Sequence, residues 1–277
     1  MPGKAKSRLD LLLTERGLAP SRERARALIL AGKVLINEQK IDKPGTAVAA
    51  DATIRMLGED LPYVGRGGLK LAAALDHWRI AVEGRGCVDV GASTGGFTDC
   101  LLQHGAVHVT AIDTGFGQIA LKLRNDARVR LLERINARFL EPGSLEEGRG
   151  APALTLLVMD VSFISATLLL EPVFAAAPHL VEAIVLVKPQ FEAGREHVGK
   201  GGIVRDEAAH RIAIDRVAGC VASLGWKVAG TTPSPITGAE GNREFLLYAR
   251  RDGTEGSRDR ASSVQGPASR EGTGNRE

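Results

Sequence analysis

The run Val88-Asp89-Val90-Gly91-Ala92-Ser93-Thr94-Gly95-Gly96-Phe97-Thr98 constrains this chain more than any other segment. An apolar stretch enters a glycine-bearing turn and leaves it as a helix. Units of that kind build open α/β sheets: glycine lets the backbone approach a ligand, and the helix start presents unpaired N–H groups. The spacing is not G-x-G-x-x-G, because Ser93 stands where the second glycine would be. A Cβ there crowds a diphosphate, which argues against a nicotinamide dinucleotide. Asp89, just before the turn, suits a ligand with cationic groups. Asp113 follows Gly91 by 22 residues and ends the next apolar stretch, where a carboxylate can accept both hydroxyls of a ribose.

Residues 67–250 alternate apolar runs with helical patterns, which predicts a mostly parallel sheet with crossover helices. Strands are expected near Cys87–Val90, His108–Ile112, Val129–Leu132, Leu154–Met159, Ala183–Val187, Trp226–Thr231 and Phe245–Ala249. Helices are expected near Leu69–His77, Gly96–His104, Gly117–Arg124, Ile164–Ala177 and Glu207–Leu224. Only turn signals separate the last two strands, so they should form an antiparallel pair at the sheet edge. Residues 1–62 read as a separate small α+β domain. Leu9, Leu12 and Leu13, then Ala25, Leu28, Ile29 and Leu30, recur at helical spacing, and short strands follow around Val34–Ile36, Val48 and Thr53–Met56. Ser21 is placed to cap the second helix, with Arg24 where a capping box would have Glu, and Gly32 to end it. Glycines in 63–68 suggest a hinge between the domains. Residues 251–277 hold one large aliphatic, Val264, and are expected to be a disordered tail.

The formal net charge is only +3, but its distribution is uneven. Residues 1–66 carry 12 Lys/Arg against 8 Asp/Glu, and the remainder carries 24 against 25. All the positive excess therefore lies in the N-terminal part, where Arg8, Arg22, Arg24, Arg26, Lys33 and Lys40 could meet phosphate. Cys87, Cys100 and Cys220 show no spacing for a zinc site or a disulfide scaffold, so no metal is expected. The start MPGKAKSRLD has no apolar leader, and no apolar run reaches the 18 residues of a membrane span. Charges and prolines (Asp160, Glu171-Pro172, Lys188-Pro189) interrupt the longest ones, which excludes a bilayer-spanning lytic protein and points to the cytoplasm.

DVGASTGGFTDCLL, MDVSFIS, VLVKPQFE and GNREF occur in that order, behind a segment at residues 8–56 that looks like an S4 RNA-binding domain. Over about residues 6–250 the chain resembles the TlyA-type, haemolysin A-like RNA methyltransferases, relatives of the RrmJ/FtsJ ribose 2′-O-methyltransferases. The resemblance implies a Rossmann-like methyltransferase fold with a seven-stranded, mostly parallel sheet over residues 69–250, and S-adenosylmethionine as cofactor. It further implies ribosomal RNA or ribosomal subunits as partner, cytidine riboses as acceptors, and a cofactor turn made by Asp89, Gly91, Ser93, Gly95, Gly96 and Phe97 with Asp113 and Asp160. The oligomeric state is left open.

Ribose methyltransferases of this kind use a Lys-Asp-Lys-Glu tetrad. By motif, the matching positions are Lys70 in GGLKL, Asp160 in MDVS, Lys188 in LVKPQ and Glu244 in GNREF. Asp160 and Lys188 close the fourth and fifth predicted strands, at the rim where open sheets hold ligands. Glu244 reaches the same rim because its strand should run the opposite way. A lysine ordinarily keeps its proton up to about pH 10.4, so a lysine base must first be neutral. Lys188 is assigned as that base, with Lys70 and Glu244 as orienting partners and Asp160 facing the sulfonium; simple orientation of the hydroxyl by Lys188 is the alternative. Asn136 could touch an adenine edge or cap a helix. The loop from Phe191 to Arg205 could be an RNA-side lid or an ordinary surface loop, and Phe191 could stack on a base. A non-catalytic RNA-binding protein would not need all four tetrad residues. A pseudouridine synthase would not need the turn at Gly91.

Overall fold

The computed structural model describes residues 6–37, 39–57, 61–146, 148, 150–238 and 241–251, which fall into two compact units, Met1–Leu61 and Pro62–Glu277. The tail expected over 251–277 lies outside the described residues apart from Arg251, which ends the last strand.

The first unit contains β1 (Lys6–Arg8), α1 (Leu9–Glu15), α2 (Arg22–Leu30), β2 (Val34–Ile36), β3 (Gln39–Lys40), β4 (Ala47–Ala49) and β5 (Ile54–Met56). β1 pairs antiparallel with β4, and β3, β2 and β5 form a second small sheet in that order. The helical stripe Leu9, Leu12, Leu13, Ala25, Leu28 and Ile29 packs on Val34, Ile36 and Val48, which accounts for the 3–4 spacing. Ser21 accepts a hydrogen bond from the Arg24 amide at 3.2 Å, and Gly32, at φ +65°, ends α2 through a bond to the Ile29 carbonyl. β1 and β3 were not expected. With three and two residues they carry no readable alternation, and only pairing with β4 and β2 makes them strands.

The second unit runs α3 (Gly67–Trp78), β6 (Gly86–Val90), α4 (Gly96–Gln103), β7 (His108–Asp113), α5 (Leu121–Arg124), β8 (Val129–Glu133), β9 (Leu154–Met159), α6 (Thr167–Ala176), β10 (Glu182–Val187), α7 (Pro189–Glu192), α8 (Glu207–Ser223), β11 (Trp226–Pro233) and β12 (Phe245–Arg251). Its seven strands are ordered β11-β12-β10-β9-β6-β7-β8. β12 is antiparallel to both β10 and β11, and the other neighbours are parallel. α6 and α8 pack on one face of the sheet and α3 and α4 on the other. This is the doubly wound, mostly parallel architecture expected from the alternation. The chain proceeds outward from β6 to β8 and then returns to β9 on the other side of β6, so β6 and β9 flank the crevice where such sheets bind ligands.

Three expectations need correction. The helix expected over Gly117–Arg124 is only Leu121–Arg124, because Gly117 is left-handed at φ +71° and its amide donates to Glu133 Oε1 at 2.6 Å. The helix expected from Ile164 starts at Thr167, because Phe163 has φ +66° and turns the chain. The hinge over 63–68 is part of the folded unit: the Val64 amide donates to Asp99 Oδ2 at 2.8 Å, and Gly67 and Gly68 form the first turn of α3. Gly68 is needed there because a Cβ would strike the Tyr63 ring.

Candidate active site

The turn after β6 is shaped by contacts of chain on chain. Gly91 has φ +86°, and a Cβ on it would collide with the Asp160 carbonyl at the end of β9. Gly95, at φ +95°, precedes α4, and a Cβ there would strike Leu123 and Ile119. Gly96 passes the backbone of α3, where a Cβ would lie 3.0 Å from the Gly68 nitrogen. Ser93 is held left-handed at φ +49°, and its amide donates to Asp113 Oδ2 at 2.7 Å. The Gly115 amide donates to Asp113 Oδ1 at 2.6 Å, so this one carboxylate fixes two loops and still has lone pairs for a ligand.

A cavity of about 550 Å³ opens on this rim, lined by Gly91, Ser93, Asp113, Asn136 and Asp160 with Ile112, Ile135 and Leu169 as apolar wall. Asn136 lines it while its Oδ1 accepts from the Arg138 amide at 3.1 Å, capping a short 3-10 turn at Ala137–Phe139. A smaller cavity of about 180 Å³ is lined by Gly91, Ser93, Gly96, Phe97, Asp160 and Lys188. Gly95 lines neither and faces Ile119 and Leu123 instead.

Asp89 does not reach either cavity. Its side chain is 0% exposed, and Oδ2 accepts from Thr98 Oγ1 at 2.6 Å while Oδ1 has no hydrogen-bond partner among the described residues. Successive residues of a strand face opposite sides, so Val90 lines the larger cavity while Asp89 points under α4. Burial, with the charges of Asp160 and Asp113 adding to it, raises its carboxyl to about 7 against the pull of Thr98.

The four charges singled out by motif come together on the other side of Asp160. Lys70, on α3, meets Glu244 Oε2 at 2.5 Å and Asp160 Oδ2 at 3.8 Å. Lys188 Nζ lies 2.6 Å from Asp160 Oδ1 and donates to Ser162 Oγ at 2.7 Å. Both lysines and Glu244 are buried, and the mutual pairing of two cations with two anions is what permits that. The antiparallel pairing of β10 and β12 sets Val187 opposite Phe245, which puts Lys188 and Glu244 at the same rim. A cavity of about 430 Å³ lies beside them, lined by Arg66, Lys70, Lys188, Gln190, Phe191 and Glu244. Asp160 and Ser162 line all three cavities.

Two features escaped the sequence reading. Phe163 is 93% exposed in a left-handed conformation, lines both larger cavities, and has its ring 5.6 Å from that of Phe191. Nothing in MDVSFIS distinguishes it from a core phenylalanine; only the observed backbone turns it outward. Glu192, 2% exposed, accepts from Ser165 Oγ at 2.5 Å and the Ala166 amide at 2.7 Å, capping α6 from another element. The loop after Phe191 is stitched down as well. Asn242 bonds the Val204 amide and the Gly202 carbonyl, both at 2.9 Å, and His210 bonds the Val204 carbonyl at 2.9 Å.

In the first unit Arg8 and Arg22 share one buried carboxylate. Arg8 Nε and Nη2 and Arg22 Nε all lie 3.0 Å from Asp10 oxygens. The hydrogen bond from Arg8 leads in holding the Asp10 carboxyl down at about 2 despite burial. Both guanidiniums remain about half exposed, so Asp10 aims them outward. Arg26 and Lys40 are exposed, and Arg24 and Lys33 half-buried.

Topology and site together define a methyltransferase dependent on S-adenosylmethionine. Residues 63–251 match the FtsJ-like methyltransferase family, and the chain belongs to that family; residues 7–54 match the S4 domain. The 16S/23S rRNA (cytidine-2′-O)-methyltransferase TlyA of Mycobacterium tuberculosis is 44% identical over 262 residues, which are 94% of each protein. Hemolysin A of Brachyspira hyodysenteriae is 39% identical over 241 residues, 87% of this chain and 98% of that protein. A solved structure of a candidate hemolysin from Streptococcus thermophilus, 42% identical, superposes with a TM-score of 0.66 over 89% of each chain. No helix among the described residues is long and apolar enough to cross a membrane.

The residues present fit the cofactor. A cavity of about 550 Å³ is within the usual range for small-molecule sites, ~300–1,000 Å³. Asp113 and Asp160 both line it, and their carboxylates suit a ligand that carries hydroxyls and positive charge.

Proposed function

We propose that this chain methylates the ribose 2′-hydroxyl of cytidines in ribosomal RNA, on the RNA alone or within a ribosomal subunit, in the cytoplasm. The observation that carries the reading is the chain of contacts Glu244–Lys70–Asp160–Lys188, set between the cavity that fits the cofactor and the cavity beside it. The name of the Mycobacterium tuberculosis relative supports the choice of rRNA and cytidine. The S4 domain supports an RNA substrate, with Arg8, Arg22, Arg24, Arg26, Lys33 and Lys40 as its phosphate-facing cations.

S-adenosylmethionine, when bound, supplies an electrophilic methyl group on a sulfonium. Gly91, Ser93, Gly96, Phe97, Asp113 and Asp160 would hold it. Lys188 takes the proton of the ribose hydroxyl. Asp160 holds Lys188 in place, and Lys70 holds Asp160 and Glu244, so the cluster resists rearrangement when the proton arrives. Phe163 and Phe191 offer aromatic faces to an unstacked base beside the acceptor cavity. Much of the rate is expected from alignment, since an in-line displacement demands collinear reacting atoms. The direct test is mass-spectrometric mapping of ribose methylation in rRNA from cells with and without this protein. Loss of a 2′-O-methylcytidine without it, and restoration by the purified protein, is the expected result; unchanged ribose methylation would overturn the reading.

A further inference from the structure

Lys188 has a second partner, Ser162, to which its motif assigns no role. We infer that Ser162 is a positioning residue for Lys188, fixing which direction from Nζ faces the acceptor hydroxyl; this rests on the proposed role of Lys188 as base. A lysine nitrogen is tetrahedral, with its Cε in one direction and three others available. Ser162 Oγ, at 2.7 Å, accepts a hydrogen bond along one of the three, while Asp160 Oδ1, 2.6 Å away, is an ion-pair contact off hydrogen-bonding alignment. In the neutral amine one N–H is then fixed on Ser162, and the negative charge of Asp160 keeps the second N–H on its own side and turns the lone pair away from it. Without Ser162, Asp160 supplies no aligned hydrogen bond to fix rotation about the Cε–Nζ bond.

The placement of Ser162 is itself determined. It lies between Asp160, whose amide donates to the Val90 carbonyl at 3.0 Å, and Phe163, whose left-handed turn reverses the chain. Glu192 pins the far end of the same loop through Ser165 and Ala166. Ser162 and Lys188 also share the lining of two cavities, of about 430 and 180 Å³, so the pair stands where acceptor and methyl donor would meet. In the step so aligned, the ribose O–H proton passes to the lone pair of Nζ. The oxygen electrons form the new bond to the methyl carbon, and the carbon–sulfur pair departs with the sulfur, which becomes a neutral thioether.

The test uses the full chain, tritiated S-adenosylmethionine and ribosomal RNA from cells lacking this protein, under single-turnover conditions. Ser162→Ala should slow transfer about tenfold to a hundredfold, the usual effect of losing a hydrogen bond to a charged or proton-transferring group. Cofactor affinity by calorimetry, KM for RNA and the melting temperature should each stay near their original values. Ser162→Thr, which keeps the hydroxyl, should restore most of the rate, and Ser162→Cys, a poor acceptor of nearly the same size, should behave like alanine. An alanine variant within twofold of the parent overturns the inference. So does a rate loss that merely follows weaker cofactor binding, or a cysteine variant as fast as the parent. Lys188→Ala is measured alongside. If it is inactive while Ser162→Ala is normal, only the role of Ser162 falls. If it keeps full rate, the base reading falls and takes the inference with it.

Discussion

Charged side chains are packed into both ends of the seven-stranded sheet, with opposite consequences. At the amino ends of the parallel strands, Arg85 Nη1 meets Glu182 Oε2 at 2.5 Å. Arg85 Nε and Nη2 donate to Thr155 Oγ1 and the Thr155 carbonyl, both at 2.9 Å, and the Tyr248 hydroxyl bonds the same Glu182. Protein groups take up both charges. At the carboxyl ends, Lys70, Asp160, Lys188 and Glu244 are ion-paired too, yet they line cavities. Paired charge packed against the sheet therefore does not by itself mark a reactive site. What marks it is a paired charge that keeps one direction open toward a space large enough for a ligand.

The comparison can be broken by substitutions at the two ends. The largest effect is expected from Lys188→Ala, which should reduce single-turnover methyl transfer by about 10²–10⁴-fold, the usual share of a general base. Lys188→Arg should fail as well, because a guanidinium keeps its proton. A loss below tenfold in a rapid-quench assay would reduce Lys188 to an orienting group. Arg85→Ala should do the reverse. It takes the guanidinium from the half-buried Glu182 and should cost about 1–3 kcal/mol of stability in a urea titration, while the protein that remains folded keeps its rate per molecule.

A smaller effect is expected at Asp113. Asp113→Ala removes a carboxylate that serves both the loops and the cavity, and calorimetry should show cofactor binding weaker by about 1.5–3 kcal/mol. Unchanged affinity would confine Asp113 to shaping the turn. An effect on stability alone sharpens the contrast from beneath the site. Asp89 is held near 7 in the folded protein against an ordinary 3.8, so its contribution to stability is fully present below about pH 4 and is lost as pH rises through 7. Asp89→Asn removes that titration. Between pH 4 and 7 the parent should lose up to about 1.4 kcal/mol per pH unit relative to the variant. Parallel stability curves for the two proteins would show that Asp89 does not titrate in this range.

What could be read from residues alone was whatever depends on local period and turn chemistry. The seven strands of the sheet, the antiparallel edge pair, the Ser21 cap and the Gly32 stop follow from alternation, capping and left-handed glycine; the tetrad was picked out by family resemblance, and strand order then placed it at one rim. The two-residue strand β3, the start of α6 and the packed 63–68 segment could not be read, since each depends on a partner distant in sequence. The same holds within the site. Gly95 looked like a ligand-contacting glycine but faces Ile119 and Leu123, and at Gly91, which does line the cavity, the Asp160 carbonyl is what forbids a Cβ. Asp89 looked like a ligand group until strand alternation, fixed by its neighbours, turned it inward. Ser162, Phe163 and Glu192 carried no signal, because their roles come from where two loops meet. Local sequence determined the elements and the chemistry available at their ends. Tertiary packing decided which of those groups face a cavity, because that orientation is set by long-range contacts that no short window of residues contains.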